Sequence, residues 1–251
     1  MSNKEFAGKV ALVTGGSRGI GRAICLALAQ QGATVAINYG ANQAAAEETR
    51  QAVTALGVRC EIYPADVSDP EQVDAMVAAV EQQLGPVDLL VTSAGIAEVN
   101  THTELDFATW QRVMRVNLDG TFLPVMAVKD GMLARGYGRI VCIASIAGLA
   151  PRARMIAYST SKAAVIAFLR NCAQAFAPAV RVNGLAPGLI VSDMTADMDE
   201  TMKQKMMDTG MIKRMGTAEE MAETVLFLLS DRSSFTTGQT LVADGGRVTL
   251  P

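Results

Sequence analysis

The chain has a single histidine, His102, and only four cysteines, Cys25, Cys60, Cys142 and Cys172, in 251 residues. That supply leaves few ligands for a zinc site, and the cysteines are too scattered for a metal knuckle or a CxxC redox pair. The opening MSNKEFAGKV lacks the apolar run of a secretory signal. A disulfide framework is therefore not expected, and four reduced, mostly buried thiols in the cytoplasm are. Basic charge is also short: 22 Lys and Arg against 25 Asp and Glu give a formal net charge of −3. Nothing in that balance invites nucleic acid or an anionic membrane surface. No apolar stretch approaches a membrane span, because Gly, Asn, Asp, Arg or Lys interrupts each one. What the chain does have is apolar character. Half its residues are hydrophobic and 19% are charged, which argues against disorder. The length suits one large α/β domain or two small ones.

Apolar runs alternate with helical stretches along the whole chain, the pattern of a parallel sheet covered on both faces. Strands are expected at 10–14, 34–38, 60–65, 88–92, 139–144, 180–185 and 240–243, the third weakened by Pro64. Helices are expected at 19–31, 42–56, 70–84, from 107 to about 135, at 157–176 and at 218–230. Ser68 or Asp69 can cap the third of these, and Pro70 suits its first turn. Right-handed crossovers stack such units into a doubly wound Rossmann-type sheet of seven strands. No linker divides it, so residues 1–251 read as one domain.

The first strand runs through Thr14-Gly15-Gly16-Ser17-Arg18-Gly19-Ile20-Gly21 straight into a helix. Glycines there permit a tight turn, close approach of a diphosphate to bare backbone, and close packing of helix on strand. The helix start adds unpaired N–H groups and a positive dipole end. The spacing is GxxxGxG, not the GxGxxG of the standard dinucleotide fingerprint. A carboxylate at the end of the second strand would hold the 2′-hydroxyl of NAD. This chain has Asn38-Tyr39 there and no Asp or Glu until Glu47, while Arg18 lies close enough to meet a 2′-phosphate bidentately. The expected cofactor is NADP(H) in preference to NAD(H).

Tyr158-Ser159-Thr160-Ser161-Lys162 sets a tyrosine and a lysine four apart at a helix start, on one face. A phenol alone titrates near pH 10, and a neighbouring ammonium is expected to lower that value. Ser145 falls just after the fifth strand, at the carboxyl edge where such sheets place ligands, and its hydroxyl can bond a substrate carbonyl.

Together these pieces resemble the short-chain dehydrogenase/reductase family. The resemblance covers essentially the whole chain: the glycine turn, Asp66-Val67 after the third strand, Ser93-Ala94-Gly95, Asn117 in VNLDG, Ser145, YSTSK from Tyr158, and Ala186-Pro187-Gly188. Within the family the chain is most similar to the 3-oxoacyl-(acyl-carrier-protein) reductase branch. The resemblance implies that Tyr158 gives a proton to a carbonyl oxygen, or takes it back from an alcohol. It implies that Lys162 lowers that tyrosine's pKa and binds the nicotinamide ribose, that Ser145 orients the carbonyl, and that Asn117 holds a relay water. Asp66 and Val67 are implied at the adenine and Ala94-Gly95 beneath its ribose. Pro187, Gly188, Ile190 and Ser192 are implied at the nicotinamide. Gly15, Ser17, Arg18, Gly19, Ile20 and Gly21 complete the expected cofactor contacts, with Asn38, Tyr39 and Ser93.

Two features depart from the family. Thr92-Ser93 stand where it usually has two asparagines that brace the central strand, a task Ser93 can take over by hydrogen bonding. The tail of the helix after YSTSK, Asn171-Cys172-Ala173-Gln174-Ala175-Phe176, lacks the basic side chains with which carrier-protein reductases meet an acidic carrier. Arg170, Arg152 and Arg154 remain, for a carrier, a small anionic substrate or solvent. The partner is therefore a small carbonyl or alcohol substrate, with a 3-oxoacyl thioester left open. His102 follows the fourth strand near the expected mouth, as a surface loop residue or a substrate contact. Met194, Met198, Met202, Met206, Met207, Met211 and Met215 suit either an adaptable apolar lid or ordinary core. Relatives form tetramers through helices equivalent to 107–135 and 157–176 and the last strand, so the resemblance implies a homotetramer. The expected activity is NADP(H)-dependent interconversion of a ketone and a secondary alcohol. The alternatives are an NAD(P)+-dependent alcohol, sugar or steroid dehydrogenase, and a non-catalytic NADP(H)-binding sensor or scaffold.

Overall fold

The computed structural model describes residues 4–196 and 198–249, the side chains of residues 193 and 194 excepted. Met194, one of the thioethers expected in the lid, thus lies outside the described side chains. Seven strands form one parallel sheet in the order β3-β2-β1-β4-β5-β6-β7. They are β1 (Val10–Thr14), β2 (Thr34–Tyr39), β3 (Cys60–Pro64), β4 (Leu89–Thr92), β5 (Gly138–Ile143), β6 (Val180–Pro187) and β7 (Thr240–Ala243). The inner strands are mostly apolar because both faces are covered, with β1 and β4 polar only at a terminal threonine. Leu12, Leu90, Ile140 and Val182 pack into one core layer, and Val13, Val91, Val141 and Leu185 pack into the other. Pro64 is compatible with β3 because that strand is a sheet edge, where a missing N–H interrupts no ladder.

The first layer is covered by α3 (Pro70–Leu84), α5 (Gly120–Arg135) and α6 (Ile156–Phe176), and the second by α1 (Gly19–Gln30), Val53 of α2 (Gln43–Thr54) and α9 (Ala218–Leu229). Asp69, not Ser68, caps α3, accepting the N–H of Gln72. The long helix expected at 107–135 is not uniform. It consists of α4 (Phe107–Met114), a π-helical turn over Arg115–Asp119, and α5. Pro124 lies inside α5, where it cannot donate a helical hydrogen bond. Hydrophobic periodicity carries no mark of the widened turn, and that turn holds Asn117. The methionine-rich segment forms two short helices, α7 (Asp193–Ala196) and α8 (Glu200–Asp208). No residue of α8 is buried, so its methionines are not core. Strand order reverses at β1, between β2 and β4, and ligands of doubly wound sheets bind in the crevice this opens at the strand ends.

Candidate active site

The glycine turn after β1 is held against its neighbours, with no room for a side chain at Gly15 or Gly21. Gly15 has φ +63°, and a Cβ there would stand 2.7 Å from the Cα of Ala94, just past β4. A Cβ on Gly21 would collide with the carbonyl oxygen of Gly15. On the other side, Gly19 faces the Cβ of Ser192 in the loop after β6. The turn therefore gathers Ala94 and Ser192 around bare backbone at the start of α1, and no side chain caps that helix. Such a cradle fits a dinucleotide diphosphate. Ser17 is tied from below, its carbonyl accepting the Thr49 hydroxyl at 2.9 Å.

Other expected cofactor contacts are disposed differently. Asn38 is buried, and its side-chain amide donates to the carbonyls of Ala65 (3.1 Å), Tyr63 (3.3 Å) and Tyr39 (3.4 Å). Its Oδ1 accepts the N–H of Gly15 at 3.3 Å. The Asn38 side chain thus braces β2, the end of β3 and the glycine turn. Tyr39 is buried as well, so the end of β2 presents main chain. Asp66 is exposed, with Oδ1 accepting the N–H and hydroxyl of Ser68 at 2.9 and 2.8 Å. Val67 lies against Gly120 so closely that a Cβ on that glycine would sit 2.6 Å from its Cγ2. The brace expected from the Ser93 side chain is made by main chain. The N–H of Ser93 donates to the carbonyl (3.2 Å) and hydroxyl (3.1 Å) of Thr14.

Ser145 ends the run from β5 and accepts the N–H of Ala147 at 3.1 Å, and its hydroxyl holds the Tyr158 phenol down against the effect of burial. Lys162, one turn on, is buried, and its Nζ donates to the carbonyl of Ile143 at 2.8 Å. The ammonium lies 5.9 Å from the centre of the Tyr158 ring. Burial raises the Tyr158 phenol above its ordinary value and the Ser145 hydroxyl lowers it. Lys162 itself is drawn down from 10.5 to about 8, mainly by burial.

Asn117 is fully buried. Its Oδ1 accepts the N–H of Ile96 at 2.8 Å. Its Nδ2 donates to the Ile96 carbonyl at 2.9 Å and to the Ser161 hydroxyl at 3.0 Å. Ser161 in turn donates to the carbonyl of Tyr158 at 2.7 Å. Ser161 had no role in the sequence reading, although it stands beside Lys162 in the motif. It ties Asn117 to the turn that presents Tyr158. Gly95 closes the group, since a Cβ there would lie 3.2 Å from Asn117 Oδ1 and 3.5 Å from Lys162 Nζ. His102 is exposed, outside this network.

The geometry defines a class before it defines a member. A family model described as enoyl-(acyl carrier protein) reductase matches residues 15–247, and the chain belongs to the short-chain dehydrogenase/reductase family of oxidoreductases. It is 38% identical over 239 residues to a 3-oxoacyl-(acyl-carrier-protein) reductase of Staphylococcus epidermidis, covering 95% of this chain and 98% of that one. It is also 38% identical over 240 residues to an acetoacetyl-CoA reductase of Allochromatium vinosum, with 95% and 98% covered. Among solved structures, a 3-oxoacyl-(acyl-carrier-protein) reductase of Brucella melitensis matches with a TM-score of 0.92 and 33% identity, over 98% of this chain and 94% of that one. No helix among the described residues is long and apolar enough to cross a membrane.

Proposed function

We propose that the chain is an NADP(H)-dependent ketoreductase that interconverts a ketone and a secondary alcohol within one domain. The carrying observation is the pairing of a Ser145 hydroxyl that acts on the Tyr158 phenol with a crowded glycine turn at the strand ends of the same sheet. A bound nicotinamide dinucleotide supplies the hydride. Ser145 donates a hydrogen bond that orients the carbonyl, and Tyr158 gives its proton to the carbonyl oxygen as negative charge develops there. Lys162, with a pKa near 8, can return a proton towards Tyr158 at neutral pH. The side-chain bonds of Asn117 leave its main-chain carbonyl, which also accepts the Thr121 hydroxyl, as the atom to hold a relay water.

Preference for NADP(H) is supported by the lack of a carboxylate after β2. The first one, Glu47, is paired with Arg50 at 2.6 Å. Arg18, on the glycine turn, is the cation for the 2′-phosphate. The exposed methionines Met202 and Met211 support a lid over an apolar or mixed substrate, which includes 3-oxoacyl thioesters. A cytoplasmic homotetramer completes the reading. Tyr158→Phe tests it: turnover of β-keto esters and thioesters should fall by roughly a thousandfold or more while NADPH still binds. Substantial residual reduction would sink the proton-donor role. Fluorescence titration should show NADPH binding tighter than NADH, and equal affinities would overturn the cofactor assignment.

A further inference from the structure

Asn38 falls at the end of β2, the place from which a side chain can choose between NAD(H) and NADP(H), yet the residue is only 1% exposed. Its amide hydrogens are taken up by the main-chain carbonyls of Ala65 (3.1 Å), Tyr63 (3.3 Å) and Tyr39 (3.4 Å). Its Oδ1 accepts the N–H of Gly15 at 3.3 Å, and its own main-chain carbonyl accepts the N–H of Gly16 at 3.0 Å. The first two glycines of the turn are therefore both tied to this one residue. The opposite orientation of the amide would set Nδ2 against the Gly15 N–H and Oδ1 against three carbonyls, so the surroundings fix the orientation.

The segments so joined lie at the carboxyl edge of the sheet, where doubly wound folds hold their ligands. Gly15 and Gly16 open the turn that a diphosphate approaches, and both are pressed by their neighbours. A Cβ on Gly15 would stand 2.7 Å from the Cα of Ala94, and one on Gly16 would stand 2.9 Å from Cys25 Sγ and 3.1 Å from Ile37 Cγ2. Ala65 opens the loop after β3 at the same edge, and its N–H donates to the Tyr39 carbonyl at 3.1 Å. Asn38 thus couples the glycine turn to the loop after β3 through main chain. Buried among these groups, its side chain offers no surface to a 2′-phosphate or a 2′-hydroxyl. A carboxylate in the same place would have no proton to donate and would face three carbonyl oxygens.

We propose that Asn38 is a positioning residue for the cofactor: it sets the main chain of the diphosphate turn and of the loop after β3, and so governs the affinity for NADPH and NADH alike without choosing between them. An interaction made equally with both cofactors cancels from the ratio of their affinities. The inference rests on the dinucleotide reading of the glycine turn, and neither on the preference for NADP(H) nor on ketone reduction.

Calorimetric titration of the folded protein with NADPH and with NADH tests it. Asn38→Ala should weaken both by the same factor, roughly tenfold for a turn that has lost one anchor. The ratio of the two Kd values should stay within about twofold of wild type. Asn38→Asp should bring no gain in NADH relative to NADPH, whereas a carboxylate facing the ribose would bring one. In turnover, the loss in Asn38→Ala should fall on KM for NADPH and leave kcat at saturating cofactor nearly unchanged. Val80→Ala opens a cavity under the far half of α3, towards the opposite edge of the sheet, and should lower Tm while leaving both Kd values unchanged. Should Asn38→Ala not fold, Asn38→Ser, which keeps one donor, is held to the same criteria. A ratio that moves by more than about fivefold in either Asn38 variant would put the side chain at the ribose and overturn the proposal. Unchanged Kd values in Asn38→Ala, or an equal loss in Val80→Ala, would also overturn it. A wild-type protein that binds neither cofactor would instead overturn the dinucleotide reading itself. Common weakening with equal wild-type affinities would support the positioning role and remove the preference for NADP(H), and common weakening with no ketone reduced would support it and remove the reductase reading.

Discussion

Lys162 is a buried amine whose cost to the fold depends on pH in a calculable way. Its pKa falls from 10.5 to about 8 mainly because burial disfavours the ammonium form. That drop corresponds to about 3 kcal/mol of destabilisation while the group is charged in both states. Below pH 8 the whole penalty is present. Between 8 and 10.5 the unfolded chain still holds the proton that the folded chain has lost, so stability rises with pH. Lys162→Met removes the group and its pH dependence together. The stability gap between variant and wild type should therefore narrow by about 2 kcal/mol between about pH 7 and about pH 9.5. Urea unfolding followed by circular dichroism, on both proteins at several pH values, measures it. Comparing the two removes most of the opposing trend from the buried thiols. Cys60 and Cys142, raised to about 12, keep protons that the unfolded chain loses. A gap that stays constant or widens with pH would refute the assignment of burial as the cause.

Ser161→Ala should cost about 1–3 kcal/mol in urea unfolding, because it strands an Asn117 N–H in a fully buried place. A cost near zero would mean that the clamp on the Tyr158 turn is not formed in solution. Gly15→Ala and Gly57→Ala both force alanine into a positive-φ backbone, at +63° and +85°. Only at Gly15 does the new methyl meet main chain, whereas Gly57 has nothing within 4 Å. Gly15→Ala should therefore lower Tm by at least several degrees more than Gly57→Ala. Equal losses would show that the contact with Ala94 yields without strain.

The inner strands were legible because burial on both faces makes them mostly apolar, and the strand boundaries fall within a residue or two of those expected. The glycine turn was legible for a similar reason: only glycine tolerates the approach to Ala94, so the requirement is written in residue type. The orientation of polar side chains was not legible in this way. Asn38, at a strand end, could face a ribose or the sheet, and the partners that decide it come from β3 and the glycine turn. Helical spacing puts Tyr158 and Lys162 on one face, but a lysine is long enough to pass the ring and reach the Ile143 carbonyl on β5. The ammonium thus ends 5.9 Å from the centre of the ring, held by a strand carbonyl. The bonds that fix the site join residues far apart in sequence: 79 apart for Ser93 and Thr14, 44 for Asn117 and Ser161, and 21 for Asn117 and Ile96. Local periodicity contains none of them. Gly95, Asn117 and Lys162 come together in that site, and burial sets the charge Lys162 carries near neutral pH.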